Sequence, residues 1–150
     1  MTFELGINYW PKRTAMWMWR EFDIAEVRDD MDHIAAMGFD VVRMFALTED
    51  FLTGPRTVDA NNVERLVDVA RAAKDAGLKI NPTLIVINMS GRMWWPEWML
   101  DAQGQPADLF SDPAMLRSQA LLVETCSAAL AGDDSVRAFD VSPQYENDSQ

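Results

Sequence analysis

Two stretches of this chain repeat one pattern, a capped helical stripe closed by glycine and followed at once by a β-branched and aromatic run. Asp23-Ile24-Ala25-Glu26 has the form of a capping box, in which the Asp23 carboxylate accepts from an orphan backbone N–H and Glu26 reaches back. Val27, Met31 and Ile34 then recur at helical spacing, and Gly38 can adopt the left-handed conformation that ends a helix. Residues 39–45 read as a strand buried on both faces. In the second copy Asp59 precedes a stripe of Val63, Leu66, Val67, Ala70 and Ala73, and Gly77 closes it before a strand over residues 78–87. His33 lies off the apolar line of its helix and is expected either in solvent or behind a functional side chain that it supports.

A first strand precedes these units, with Gly6-Ile7-Asn8-Tyr9-Trp10 in its run. After a long loop, Asp112-Pro113 supplies an N-cap with proline at the first helical position, where its missing N–H costs nothing. That helix runs towards Ala131, and Gly132-Asp133-Asp134 turns the chain into a fourth strand over residues 136–141. Strands alternating with helices through short helix-to-strand turns imply a parallel sheet with right-handed crossovers. Asn8-Tyr9-Trp10-Pro11 stands where a dinucleotide-binding sheet would carry its Gly-rich turn. The strand-to-helix loops are long and rich in Trp, Met and polar groups, the asymmetry of barrel enzymes. The expected fold is therefore α/β: parallel (β/α) units forming about half of a (β/α)8 barrel, four strands and three helices, in one domain spanning residues 1–150.

Composition narrows the function. The 150 residues are 49% hydrophobic, enough for a sizeable core, and carry a net charge of -11, which disfavours nucleic acid because phosphate backbones are held by clustered Lys and Arg. One cysteine, Cys126, and one histidine, His33, offer neither an intrachain disulfide framework nor a metal-ligand cluster. Cys126 is expected in the core. No segment is long enough to span a bilayer and no signal-peptide pattern opens the chain, so no membrane partner is expected and the default location is cytoplasmic.

All six tryptophans fall in strand-to-helix loops: Trp10, Trp17 and Trp19 after the first strand, Trp94, Trp95 and Trp98 after the third. Broad aromatic faces suit the apolar faces of sugar rings, and Asn8, Arg43, Glu49, Asn88 and Ser90 stand nearby to bond hydroxyls. The alternative is that these tryptophans pack the loops against one another.

Gly6-Ile7-Asn8-Tyr9-Trp10-Pro11, Met16-Trp17-Met18-Trp19, Gly38-Phe39-Asp40-Val41-Val42-Arg43-Met44-Phe45 and Pro82-Thr83-Leu84 together resemble the N-terminal half of the cellulase and β-mannanase-like glycoside hydrolases, family 5 of clan A. Met89-Ser90-Gly91, Trp95-Pro96-Glu97-Trp98 and Asp108-Leu109-Phe110-Ser111-Asp112-Pro113 follow in the same order. The resemblance implies a retaining hydrolase of β-linked glucan- or mannan-type sugars, without a cofactor or metal. Its Glu acid/base ends the fourth strand and its Glu nucleophile ends the seventh. Such a site holds two carboxyl groups about 5 Å apart, one protonating the leaving oxygen while the other attacks the anomeric carbon. Arg43 matches the family's strand-two arginine, whose guanidinium orients the nucleophile; the alternative role is a structural strand-end ion pair. Asn8, Trp10, Trp17, Arg43, Glu49, Asn88, Ser90, Trp94 and Trp95 are the candidate substrate-binding residues.

The fourth strand departs from the family. Asp140-Val141 continues as Ser142-Pro143-Gln144, which places Gln144 at the acid/base position, and an amide cannot supply the proton that cleavage requires. Glu146 is the nearest carboxylate, a weak substitute displaced by roughly 7 Å along an extended chain. Asn88 stands where many relatives carry histidine, and no seventh strand supplies a nucleophile within these residues. Three expectations follow: a glycoside hydrolase segment inactive alone, a non-catalytic carbohydrate-binding remnant, or a structural half-barrel that associates with itself. A half-barrel has exposed sheet edges, so self-association or a missing C-terminal half is expected as partner.

Overall fold

The computed structural model describes residues 3–141; the expectations placed on Gln144 and Glu146 lie outside the described residues. Three strands form one parallel sheet: β1 (Gly6–Asn8), β2 (Val41–Leu47) and β3 (Lys79–Val86), in the order β1-β2-β3. Sequential order without a reversal is what a barrel segment requires, whereas a doubly wound sheet changes direction beside its first strand. Three long helices connect and flank the strands: α1 (Ile24–Ala36), α2 (Ala60–Asp75) and α3 (Pro113–Ala129).

The helix boundaries follow their caps. The Asp23 carboxylate accepts from the backbone N–H groups of Ala25 and Glu26, Asp59 from that of Asn62, and Asp112 from that of Ala114, with Pro113 opening α3. Gly38 and Gly77 take positive φ, 87° and 79°, so the chain leaves α1 and α2 in the left-handed turn and enters the next strand within a few residues. Val27, Met31 and Ile34 are the buried residues of α1, as their spacing predicts. On α2 the buried arc is wider than the expected stripe: Val69 and Ala72 are buried as well, while Val67 is half-buried. The cause is position, because α2 packs against α1, α3 and β3 at once.

The expected fourth strand is reduced to two parallel bridges, Ile80 to Val136 and Thr83 to Asp140. Between those bridges two residues of β3 face three of the fourth segment. Pro82 explains the interruption. Ile80 N–H donates to Ser135 O at 2.8 Å and Leu84 N–H to Asp140 O at 2.9 Å, but the residue midway between them has no N–H to donate. The ladder loses a rung there, and the extra residue fits into the gap as it does at a bulge. The Pro82 carbonyl still accepts from Asp140 N–H at 2.9 Å, so the segment docks without becoming a regular strand.

The strand-to-helix loops carry small elements of their own. A helical turn, Thr48–Phe51, continues directly from β2 and leads into a hairpin of Leu52–Gly54 with Thr57–Val58. A second hairpin, Asn88–Met89 with Arg92–Met93, follows β3. Its two-residue loop is Ser90-Gly91, both at positive φ, 54° and 73°, the conformation of a tight turn that matches strand twist.

The main core lies between the outer face of the sheet and the helices. Val42, Met44 and Ala46 of β2 join Met31, Leu66, Ile80, Leu84, Leu122 and Cys126 there. Cys126 is fully buried, as expected, and burial pushes its thiol up to about 12. His33 is exposed, with Nδ1 on the Asp29 carbonyl. Among the described residues no helix is long and apolar enough to cross a membrane. Leu66, fully buried in this core, is expected to cost about 2–5 kcal/mol on truncation to alanine. The exposed Leu116 of α3 should cost less than about 0.5 kcal/mol. Urea unfolding of both variants checks the contrast.

Candidate functional site

Register and alternation decide which side chains face inward. Asn8, Arg43 and Asn81 are partners across β1, β2 and β3, and Phe45 is the partner of Thr83. Successive side chains of a strand point to opposite faces, so with Val42, Met44 and Ala46 committed to the helices, Arg43, Phe45 and Leu47 are left for the inner face.

A polar layer forms at the middle of that face. Arg43 donates through Nε to Thr83 Oγ1 at 2.9 Å, and its terminal nitrogen pairs with the Asp140 carboxylate, which also accepts from the Thr83 hydroxyl at 3.3 Å. Thr83 is fully buried and the Arg43 side chain is 27% exposed. The strand-two arginine is thus held by the docked fourth segment. Asn81 belongs to the same layer and was not anticipated from sequence: its Oδ1 is buried without a hydrogen-bond partner. Only the parallel register, which pairs it with Arg43, identifies it.

An aromatic layer stands above the polar one. Trp10 stacks on Phe45 at 5.5 Å and 17°, and the Arg43 guanidinium lies over the other ring of that stack, 4.9 Å from the Phe45 centroid. Phe45, Leu47, Val86 and Trp94 form a small core of their own, separate from the helix-facing one, with Trp10, Met16 and Met89 packed against it. Trp94 meets Trp17 edge to face at 5.1 Å and fixes its Nε1 on the Met89 carbonyl at 3.1 Å. The hairpin carrying Asn88 and Ser90 brings Arg92 over both rings, 4.1 Å from the Trp94 centroid and 5.4 Å from that of Trp17. Ser90 reaches the Met16 sulfur at 3.9 Å.

Of the expected residues, Trp10, Trp17, Arg43, Ser90 and Trp94 are therefore tied into one contact network, with Asn8 beside Arg43 in register and Asn88 at the base of the hairpin. Trp95 packs against the main core. Glu49 is turned to another neighbour: its Oε1 pairs with Arg20 at 3.2 Å, and that guanidinium lies 4.9 Å from the Trp17 centroid. The remaining tryptophans serve the fold. Trp19 is fully buried between Phe22 and Phe51 and donates to the Phe45 carbonyl at 2.8 Å, and Trp98 donates to the Leu52 carbonyl at 2.8 Å. Packing, the alternative weighed for the aromatic loops, holds for these two.

Beside Glu49, Asp50 was not anticipated. It is 6% exposed, and Oδ1 accepts from Arg20 Nε at 2.5 Å. Burial pushes its carboxyl above the ordinary aspartate range despite the pull of Arg20. Among the described residues no group of three or more His, Cys, Asp or Glu side chains could hold a metal ion.

No family model matches the sequence, and no curated protein matches it. Solved structures do. The chain is 32% identical to a GH5_18 enzyme from Streptomyces cattleya in complex with Manβ1-4GlcNAc, over 93% of this chain and 33% of that one, with a TM-score of 0.87. It is also 32% identical to the exo-β-1,4-mannosidase Op5Man5 from Opitutaceae bacterium strain TAV5, over 98% of this chain and 25% of that one, with a TM-score of 0.85. A GH5_18 from Bifidobacterium longum subsp. infantis is 20% identical with a TM-score of 0.86, a likeness of fold alone. The chain spans between a quarter and a third of the length of these relatives.

The Asp50 carboxyl makes a signed prediction. Its folded value lies above the ordinary 3.8, so the stability that goes with the protonated form is present at the acid end and is lost as pH rises through the raised value. Asp50→Asn, which has no carboxyl to titrate, should therefore lose less stability than the unsubstituted chain as pH rises above 3.8, measured by urea unfolding at each pH.

Proposed function

The chain carries the partial barrel of a family 5 glycoside hydrolase, and from that premise we propose that it supplies the sugar-recognition side of a retaining β-mannoside- or β-glucoside-acting site. The observation that carries this reading is the layering of the inner face, with Arg43, Thr83 and Asp140 below and Trp10, Phe45, Trp17 and Trp94 above. An aromatic wall over buried polar groups suits a pyranose ring, apolar on its faces and hydroxylated at its edge. A manno-type sugar is favoured, because one relative is named as an exo-β-1,4-mannosidase and another was crystallised with Manβ1-4GlcNAc.

Hydrolysis needs more than this face supplies. A retaining reaction requires two carboxyl groups about 5 Å apart, one proton donor and one nucleophile. Among the described residues, the carboxylate that the inner face presents is Asp140, and it is engaged by Arg43 and Thr83. At the acid/base position stands Gln144, whose amide has no acidic proton to give. The 150-residue chain by itself is therefore read as a binding element without turnover. In a completed barrel Arg43 would orient a nucleophile carboxylate as well as Asp140.

A second reading has its own support. β1 pairs with β2 on one side only, and Phe3, Leu5 and Val141 expose apolar surface at the ends of the described segment. Such an edge and face call for a partner, either further barrel strands or a second copy. Static light scattering should report a mass above 17.0 kDa; a clean monomer with cooperative unfolding would set self-association aside.

Sugar recognition is tested by tryptophan fluorescence. Methyl β-mannoside in the millimolar range should quench or shift the emission, and Trp10→Ala should weaken binding by about tenfold, the loss of one aromatic contact worth about 1.4 kcal/mol. An unchanged spectrum at saturating sugar would reject the reading. With 4-nitrophenyl β-mannoside no nitrophenol should be released above the buffer rate, and release abolished by Glu146→Gln would show that Glu146 had taken the acid's place.

A further inference from the structure

The outward face of α3 is unlike that of α1. Arg117 and Glu124 are the only Asp, Glu, Lys or Arg residues among the 17 of α3, whereas α1 carries Glu26, Arg28, Asp29, Asp30 and Asp32 within 13. A helix that buries one face normally keeps the opposite one charged and wet. Turned away from the buried Met115, Leu122 and Cys126, α3 presents Ala114, Arg117, Ala120, Leu121 and Glu124. Together with the hairpin turn at Pro55 and Arg56 they line a groove of about 710 Å³. It is open along its length: Arg56, Arg117, Ala120 and Glu124 are exposed, and Ala114 and Leu121 are half-buried.

The charges of the groove are open as well as its surface. The side chains of Arg56, Arg117 and Glu124 have no ion-pair or hydrogen-bond partner among the described residues. The Ser118 hydroxyl donates to the Pro55 carbonyl at 2.7 Å, which sets the hairpin turn against α3 beside Arg117. Two guanidinium groups therefore stand towards one end of the groove and one carboxylate towards the other. Arg117 and Glu124, close to two full turns apart, share a face of the helix and are separated by roughly 10 Å along its axis.

An antiparallel copy of α3 carries the complementary pattern. A two-fold axis perpendicular to the helix and passing between Ala120 and Leu121, the midpoint of Arg117 and Glu124, sets Arg117 opposite the partner's Glu124 and Glu124 opposite the partner's Arg117. One bridge is thus formed twice, as a self-complementary contact requires. Leu121 packs near the axis against its counterpart, and Ala114 and Ala120 are small enough for the helices to close to the roughly 8–10 Å of packed pairs. Net charge selects this face. The chain carries -11, so two copies repel as wholes, but α3 holds one Arg and one Glu and is neutral. Arg56 adds a second cation at the end that receives the partner's carboxylate.

We propose that a second copy of this chain docks in this groove, α3 antiparallel to α3 about a two-fold axis, with Arg117 of each chain paired to Glu124 of the other and Leu121 at the centre. The interface is independent of the sugar reading and lies apart from the β1 edge, the other surface that calls for a partner.

Sedimentation equilibrium of the 150-residue chain at low salt should give about twice 17.0 kDa. Arg117→Glu and Glu124→Arg each bring like charges together at two contacts and should weaken the dimer by about tenfold or more. The double substitution R117E/E124R exchanges the two ends of the pattern and should dimerise more tightly than either single change. Leu5→Lys, beside the β1 edge, should leave the dissociation constant unchanged. All three positions are exposed, so far-UV circular dichroism should stay that of the unsubstituted chain. A dissociation constant that ignores both single reversals, or a double variant no tighter than the singles, overturns the α3 interface. Loss of the dimer in Leu5→Lys alone assigns association to the β1 edge and overturns it too. A mass of one chain overturns it together with association through that edge.

Discussion

A strand has two faces and a period of two, and in β2 that constraint assigns every neighbouring residue to a different task. Val42, Met44 and Ala46 are committed to the helices, so Arg43, Phe45 and Leu47 have no choice but the inside. A slip of one residue would drive a guanidinium into the helix-facing core and expose that core's apolar groups. The helices gain their packing from the outer set, and the site owes its layering to the inner one. The two hydrophobic clusters remain separate for the same reason, because the backbone of the sheet runs between them.

The inner set would be costly without partners. An arginine drawn to 27% exposure needs its donors met, and it finds them in Thr83 of β3 and Asp140 of the fourth segment. This pairing helps explain why the fourth segment docks although its ladder is broken at Pro82. Backbone bonds hold it above and below the gap, and the Arg43–Asp140 pair spans the same region from the side chains. A proline that weakens the sheet and an ion pair that bridges it therefore occur at one level of the barrel. At the opposite end Glu4 pairs with Lys79 and Arg137, but those groups are exposed and contribute little.

What could be read from the sequence was local. Capping aspartates, helix-ending glycines and period-3.6 stripes depend on residues close in the chain, and Asp23, Asp59, Asp112, Gly38 and Gly77 act in the structure as their positions predict. What could not be read depended on register or on a long-range partner. Asn81 gives no signal until it is set beside Arg43. Trp19 and Trp98 resemble Trp10 and Trp17 in sequence, yet each has an indole N–H that finds a buried carbonyl 26 or 46 residues away, and that bond makes them structural. Asp50 belongs to a helical turn, Thr48–Phe51, too short for any periodicity to announce. The fourth strand was legible as a β-branched run, but its interruption came from a proline in its neighbour.

The distribution of unsatisfied groups connects these points. Glu49 Oε2, Asp50 Oδ2 and Asn81 Oδ1 are the buried side-chain atoms without partners among the described residues, and all three stand within or just beyond β2 and β3. The helix side of the molecule has none: its buried Ser118 donates to the Pro55 carbonyl, and its buried Asn62 to that of Asp50. The unpaired acceptors thus lie within β3 and on the turn that follows β2, while the helix-facing polar groups named here find partners. Fold and site therefore divide along the sheet: the outer face packs its apolar side chains under the helices, while the inner face carries the Arg43–Thr83–Asp140 layer and the aromatic layer above it.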